Sequence, residues 1–317
     1  MEFIVDEEFR RMTLSSILKQ SIEVPKSSPK VFYLMTLSLI LPLSLVILVH
    51  SYIIHYLADN FHFDPSSTIQ SELHYFALIL FFYALYLLLV SIFFLITTSA
   101  SIFTVASCYT SNPITFSSTF HAIPRIFPRL FITFLWISLL IIIYSAIVFI
   151  CALVTLAALS GSLRIVVYIV VVISICSIFL WVHLYVNSMW QLASVVSVLE
   201  PVYGLGAIKK SHALLQGKRL DATILVLGYL LLCALISFVF DVVVVRGGEL
   251  GIAVYWRIVL GVVLVGLMVG LNVLELMVQN VFYYVCKSFH HESIDKNALI
   301  YLLGWYVKVQ VKLNSMI

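Results

Sequence analysis

The stretch Glu200–Asp221, EPVYGLGAIKKSHALLQGKRLD, is a polar island between two charge-free apolar runs, Ile165–Leu199 and Ala222–Phe240. Pro201 suits a first helical turn. Val202, Leu205, Ile208 and Leu215 form an apolar stripe at helical spacing, with Lys209, Lys210, His212 and Gln216 elsewhere around the same helix. Gly217 fits the position just past a helix end, where a left-handed backbone is needed. Lys218 and Arg219 follow, suitably placed for anionic headgroups. The island reads as a short amphipathic helix in the plane of a membrane interface, or as a plain linker between two spans.

The composition settles what surrounds it. The chain has 317 residues, of which 62% are hydrophobic and only 10% charged, with mean hydropathy +1.11. Soluble domains carry about 25% charged residues. So large a deficit places most of the surface against lipid. The net charge of +3 is too small and too dispersed for a nucleic-acid partner. Residues 1–30 are rich in charge and lack a leading apolar core, so the first apolar run is expected to stay as the first span.

A membrane helix needs about 20 mainly apolar residues. The charge-free intervals Val31–Ala58, Leu73–Pro124, Leu130–Leu163, Ile165–Leu199, Ala222–Phe240 and Ile258–Leu274 give six spans, at roughly 32–57, 74–100, 130–158, 163–190, 222–245 and 252–280. The second interval contains Asn112-Pro113 and Pro124, so its later part is expected to be a loop. The organisation is then an N-terminal tail with an amphipathic helix (1–30), a membrane domain (31–288) and a C-terminal tail (289–317). With both termini on one side, that side holds 15 Lys and Arg and the other holds three: Arg164, Arg246 and Arg257. This asymmetry predicts cytosolic termini, in either an endomembrane such as the endoplasmic reticulum or the plasma membrane.

The loops on the basic side resemble one another. Leu14–Ile22, Phe116–Pro124 and Leu205–Ala213 each put apolar residues three or four apart ahead of a basic patch and a span. The even-numbered spans each carry a polar pair at i and i+4: Thr97 and Ser101, Asn187 and Gln191, Glu275 and Gln279. Three units follow, roughly 14–115, 116–204 and 205–317, each an interfacial helix plus a transmembrane hairpin. From Arg257 to Glu275 is 18 residues, about 27 Å of helix, so these pairs should sit near the cytosolic end of the hydrocarbon.

Glu275, with Asn272 and Gln279 on its face, is the sharpest candidate for an intramembrane polar site. A carboxylate in a span marks an ion or proton path, or else hydrogen-bonds a neighbouring helix at the interface. His183, Asn187 and Gln191 make a similar stripe on span 4. Lys209, Lys210, Lys218 and Arg219 are the candidate contacts for anionic lipid or a partner protein. Gly266 and Gly270, in GLMVG, have the small-xxx-small spacing that lets helices pack closely. Asp241 reads as an interface anchor, with a pore or counter-ion role as the alternative. The cluster His290-His291-Glu292-Ser293-Ile294-Asp295 fits no standard zinc spacing, and no metal or cofactor is expected. Tyr306–Leu313, YVKVQVKL, alternates apolar and polar residues in a strand pattern. Nucleophile elbows, HExxH, Walker loops and GxGxxG are absent, and no enzymatic activity is expected.

The pattern Glu200-Pro201, Gly204 or Gly206, Ala207-Ile208-Lys209-Lys210-Ser211, Leu214 and Gly217 between two spans resembles the membrane domain of bacterial glycerophosphodiester phosphodiesterases. The whole chain resembles a plant family of six-span membrane proteins of unknown function, whose tail similarly reads Cys286-Lys-Ser-Phe-His-His-Glu-Ser-Ile-Asp-Lys-Asn-Ala-Leu299. The bacterial enzymes keep catalysis in a separate soluble barrel, so the resemblance implies a fold and carries over no catalytic residue. The expectation is an all-α membrane protein with six transmembrane helices as three hairpins, each preceded by an interfacial helix. Its expected role is that of a non-enzymatic scaffold or adaptor acting through its cytosolic basic helices. The alternatives are a small-solute or ion transporter or channel using Glu275 with the His183, Asn187 and Gln191 stripe of span 4, or an intramembrane lipid enzyme.

Overall fold

A computed structural model describes residues 9–10, 12–59, 69–110, 115–159, 165–292 and 296–314. Among these every regular element is helical. The helices are α1 (Leu14–Glu23), α2 (Pro29–Met35), α3 (Leu41–Asp59), α4 (Ile69–Tyr109), α5 (Phe116–Leu159), α6 (Ile165–Leu199), α7 (Leu205–Leu214), α8 (Arg219–Phe240), α9 (Val254–Phe289) and α10 (Lys296–Asn314). A π-helical turn, Thr36–Ile40, joins α2 to α3 as one span. Six helical runs are long and apolar enough to cross a membrane: Pro29–His55, Phe76–Tyr109, Phe116–Thr155, Ile169–Leu199, Arg219–Gly248 and Val254–Phe289. The chain is a multi-pass membrane protein.

The long helices overshoot a single crossing. α5 has 44 residues, about 66 Å of helix, against a hydrocarbon core of about 30 Å. Each long helix divides in two. On α4, Phe76, Leu80, Phe81 and Leu88 are exposed, whereas Leu95, Ile102, Val105 and Ala106 are buried. On α6, exposure at Ile169, Ile173, Ile178 and Trp181 gives way to burial from Leu184 onward. On α9, the stretch Val254–Leu267 is largely exposed, and Leu276–Cys286 is continuously buried. α5 runs the other way, with Ala122, Ile126 and Leu130 buried and Ile142, Ile147, Ile150 and Val154 exposed. The exposed halves are the lipid belt. The buried halves form a helical bundle at one end of the molecule.

Hydroxyl side chains make that bundle possible. Thr97, Thr98, Ser99, Ser101, Thr104 and Ser107 of α4 are all buried, as are Ser188, Ser194 and Ser197 of α6. Ser99, Ser107 and Ser188 donate to the carbonyls of Leu95, Phe103 and Leu184 at 2.7, 2.9 and 2.9 Å, so their polarity is met within their own helix. Their small size lets neighbouring backbones approach. α9 is the centre, packing against α1, α3, α4, α6 and α8.

Four expectations change. The segment after residue 100 is helix to Tyr109, and α5 begins at Phe116 and runs through Pro124 and Pro128. Each proline removes one backbone donor. The full burial of Ala122, Ile126 and Leu130 holds the helix together regardless. Asn112-Pro113 lies outside the described residues. The second expected interfacial helix is therefore the start of span 3, whereas α1 and α7 are separate helices.

Within the opening stretch, α7 starts at Leu205 and not at Pro201. Gly204 stands between them at φ +61°, a left-handed backbone that ends any helix begun at Pro201. The buried face of α7 is Ala207, Ser211 and Leu214, and Leu205 is exposed, so the expected stripe is rotated. Gly217 does lie in the left-handed region, at φ +86°. Finally, Tyr306–Leu313 belongs to helix α10 and not to a strand. Leu299, Leu303 and Tyr306 are buried at spacings of four and three, and this helical stripe outweighs the alternation that follows it.

Candidate functional site

α9 carries two polar layers. The first lies where the lipid belt meets the bundle. Gln191 on α6 donates its side-chain amide to the Glu275 carboxylate. One turn on, the Gln279 amide donates to the Gln191 carbonyl at 3.0 Å and to the Ser194 hydroxyl. Asn272 donates to the Ser44 hydroxyl of α3 at 2.9 Å and accepts from the Tyr229 hydroxyl of α8 at 2.9 Å. Asn280 donates to Ser101 of α4 at 3.1 Å. One face of α9 thus hydrogen-bonds four neighbouring spans. Glu275 is partly buried, and no Lys or Arg pairs with it among the described residues.

The second layer is two to three turns further along α9 and centres on Glu200, at the end of α6. The Glu200 carboxylate lies 2.6 Å from Lys210 Nζ, accepts from the Tyr283 hydroxyl at 2.8 Å and lies 3.4 Å from Lys287 Nζ. Burial opposes its ionisation, but the Lys210 hydrogen bond, the Lys287 charge and the Tyr283 hydroxyl outweigh that and hold the carboxyl below its usual value. Lys210 also meets Glu292 at 3.0 Å. Burial works against its charge too, but its bonds to Glu200 and Glu292 prevail and raise it above the usual lysine value.

Arg129 of α5 closes the layer from the other side. It donates to the Glu200 carbonyl at 2.8 Å and to the Tyr306 hydroxyl at 3.0 Å. Burial pushes the Tyr306 phenol up, so it stays protonated and donates to the Val198 carbonyl at 2.9 Å. Arg125 donates to the Trp305 and Tyr306 carbonyls at 2.6 and 3.2 Å. These bonds pin α10 across α5 and α6. A cavity of about 400 Å3 lies between α10 and the Glu200 layer.

The backbone of the connecting segment is shaped to fit. The Gly204 amide donates to Thr133 Oγ1 at 2.9 Å, and a Cβ there would stand 3.3 Å from Ile132 and 3.5 Å from Trp136. At Gly217 a Cβ would stand 2.6 Å from the Phe289 ring. Both glycines are needed for positive φ and for close approach.

The structure therefore joins Glu275, Gln279 and Gln191, with Asn272 one turn away on the same helix. It leaves the other two polar residues of span 4 out of that contact. Asn187 donates to its own helix, at the His183 carbonyl, and His183 faces α5, 2.6 Å from the Tyr144 hydroxyl. Of the four basic candidates, Lys209 and Arg219 are exposed. Lys210 is committed to Glu200 and Glu292, and Lys218 pairs with Asp221 at 3.0 Å. Gly266 and Gly270 do not serve packing between described helices, since a Cβ at either would meet nothing within 4 Å.

Asp241 pairs with Arg246 at 3.0 Å, and Arg257 donates to the Val244 carbonyl at 3.0 and 2.7 Å, closing the far end of α8. In the histidine-rich segment, His290 is 3.1 Å from the Leu214 carbonyl and Glu292 faces Lys210, so they face different partners; Asp295 lies outside the described residues. The sequence pointed to no site role for Glu200, although it opens the quoted pattern, nor for Tyr283, Lys287, Arg129 or Tyr306. The spacing of Gln279, Tyr283 and Lys287 at four residues was the available signal, since it continues the Glu275 face along one helix.

No curated protein and no solved structure matches the chain. A family model described as Domain of unknown function (DUF8558) matches residues 3–316. The two polar layers on α9 and the six spans that they join are thus features of a chain that belongs to the DUF8558 family.

Proposed function

We propose that this protein is a non-enzymatic membrane scaffold or adaptor with both termini in the cytosol, presenting a basic and aromatic rim to anionic headgroups. One observation carries the reading. Lys210 is committed to Glu200 and Glu292, while Lys209 and Arg219 remain exposed, as do Tyr203, Leu205 and Leu220 of the same connection. Aromatic and basic residues side by side suit the headgroup level of a bilayer. The lysine and arginine asymmetry supports the orientation. Hairpin packing of α3 on α4, α5 on α6 and α8 on α9 supports a threefold plan of units 14–115, 116–204 and 205–317. The test is double charge reversal, K209E/R219E, in protein purified from mixed-lipid membranes. Wild type should retain phosphatidylserine over phosphatidylcholine and the variant should not; equal retention defeats the proposal. Labelling of a cysteine placed at Lys209 from outside sealed cells would overturn the orientation.

A second reading, a proton-coupled or ion transporter, is favoured by one feature: Glu275 is partly exposed in a span and has no cationic partner among the described residues. It predicts acidification-driven flux in proteoliposomes that Glu275→Gln abolishes.

A further inference from the structure

We propose that the cavity between α10 and the Glu200 layer binds a single-chain anionic amphiphile, a compact carboxylate or phosphate head on one aliphatic chain. The volume, about 400 Å3, falls within the range of small-molecule sites, roughly 300–1,000 Å3. Most of the wall is apolar: Leu199, Pro201, Leu299, Leu302 and the body of Tyr284. The charged groups are confined to Glu200 and Lys287, 3.4 Å apart, and Tyr283, Tyr284 and Tyr301 add phenols. A largely apolar chamber whose charges lie together fits a ligand with one chain and one head.

The sign of the head follows from the hydrogen bonds. Glu200 is already satisfied by Lys210 at 2.6 Å and Tyr283 at 2.8 Å. Lys287 is not: its contacts to Glu200 and Tyr283 are 3.4 and 3.5 Å, beyond the ordinary range for an ammonium with three donors. The ionic groups of this layer among the described residues are Lys210, Lys287 and Arg129 against Glu200 and Glu292, which leaves one positive charge unmatched. Ala298 and Leu299 bring the first turn of α10 to the wall. Tyr284, whose hydroxyl has no hydrogen-bond partner among the described residues, also contributes to the wall. This inference is independent of the scaffold reading, because none of Lys209, Arg219 or their exposed neighbours lines the cavity.

The experiment is equilibrium binding of radiolabelled laurate to the full chain in phosphatidylcholine nanodiscs, with empty discs as background. Wild type should show one saturable site, from which unlabelled laurate and lauryl phosphate displace the label; dodecanol, acetate and inorganic phosphate should not. Lys287→Met should weaken binding at least 10-fold. Ala298→Trp, at an exposed position on the rim, should abolish it without lowering the melting temperature. Relative potency of laurate and lauryl phosphate identifies the preferred head. Absence of a saturable site, equal displacement by dodecanol, or unchanged laurate affinity in both variants would overturn the proposal. Loss of laurate binding with intact phosphatidylserine retention, or the reverse, separates this site from the rim.

Discussion

Lys210 Nζ sits 2.6 Å from Glu200 Oε2 and so ties α7 back onto the end of α6, the helix that precedes it. The bond shapes the whole connection, since Glu200 also holds Tyr283 and Lys287 of α9. Glu200→Gln keeps the shape and removes the charge, leaving Lys287 without a carboxylate and Lys210 with Glu292 alone. The expected loss is about 2–3 kcal/mol, below the figure for a fully buried pair because Lys210 is 30% exposed. Denaturant unfolding in detergent micelles measures it.

The same pair sets a pH dependence. Glu200 is held below its usual value in the folded chain, so the unfolded chain binds its proton first. Its contribution is fully present above the unfolded carboxyl value, about 4.3, and is lost as pH falls through the lower folded value. Lys210 is raised, so its contribution is present below about 10.4 and is lost as pH rises through its folded value. Melting temperature should be flat between these limits and fall on both sides. In Glu200→Gln both slopes should flatten; slopes identical to wild type would assign them to other groups.

Glu275→Gln separates the two functional readings. Glutamine can still accept from Gln191 through its carbonyl, and a single hydrogen bond between membrane helices contributes about 0.6 kcal/mol. The scaffold reading expects a stability change below about 1 kcal/mol and unchanged lipid retention. A proton flux in wild-type proteoliposomes that disappears in the variant, read with an entrapped pH dye, would favour the transporter.

Gly204→Ala and Gly217→Ala should each destabilise by about 1–3 kcal/mol, because alanine is strained at positive φ. They should differ in rescue. At Gly217 the obstacle includes the Phe289 ring at 2.6 Å, so Phe289→Ala should partly relieve Gly217→Ala. At Gly204 the contacts are milder and the backbone dominates, so Trp136→Ala should restore little. Thermal melts of the four variants and two double variants decide it.

The sequence made the spans legible because lipid demands long uncharged runs, and six such runs exist. Helix lengths were not legible. The apolar scale registers Thr97–Ser107 as weakly polar and Asn112-Pro113 as a turn, but Ser and Thr hydroxyls answered by their own helix cost little to bury. The Gly204 break was hidden by a continuous helical stripe from Val202 to Ile208. Tyr306–Leu313 showed period two, and only the preceding Leu299 and Leu303 reveal the period that governs. In the site, Glu275, Gln279 and Gln191 were legible as polar residues in apolar runs. Glu200 was not, because carboxylates in a loop are common and its partners Tyr283, Lys287 and Lys210 are distant in sequence or on another helix.

The central position of α9 bears on how the molecule is made. It is the sixth span in chain order, and it supplies the partners of Ser44, Ser101, Gln191 and Glu200 in earlier helices. While a ribosome is still synthesising the fifth span, Glu200 has Lys210 and Ser44 has its own helix, but every α9 partner is still missing. Every intermediate up to that moment therefore displays a Gln191 amide without its carboxylate and a Glu200 carboxylate without Tyr283 and Lys287, marks by which a membrane quality-control system tells an unfinished chain from a completed one.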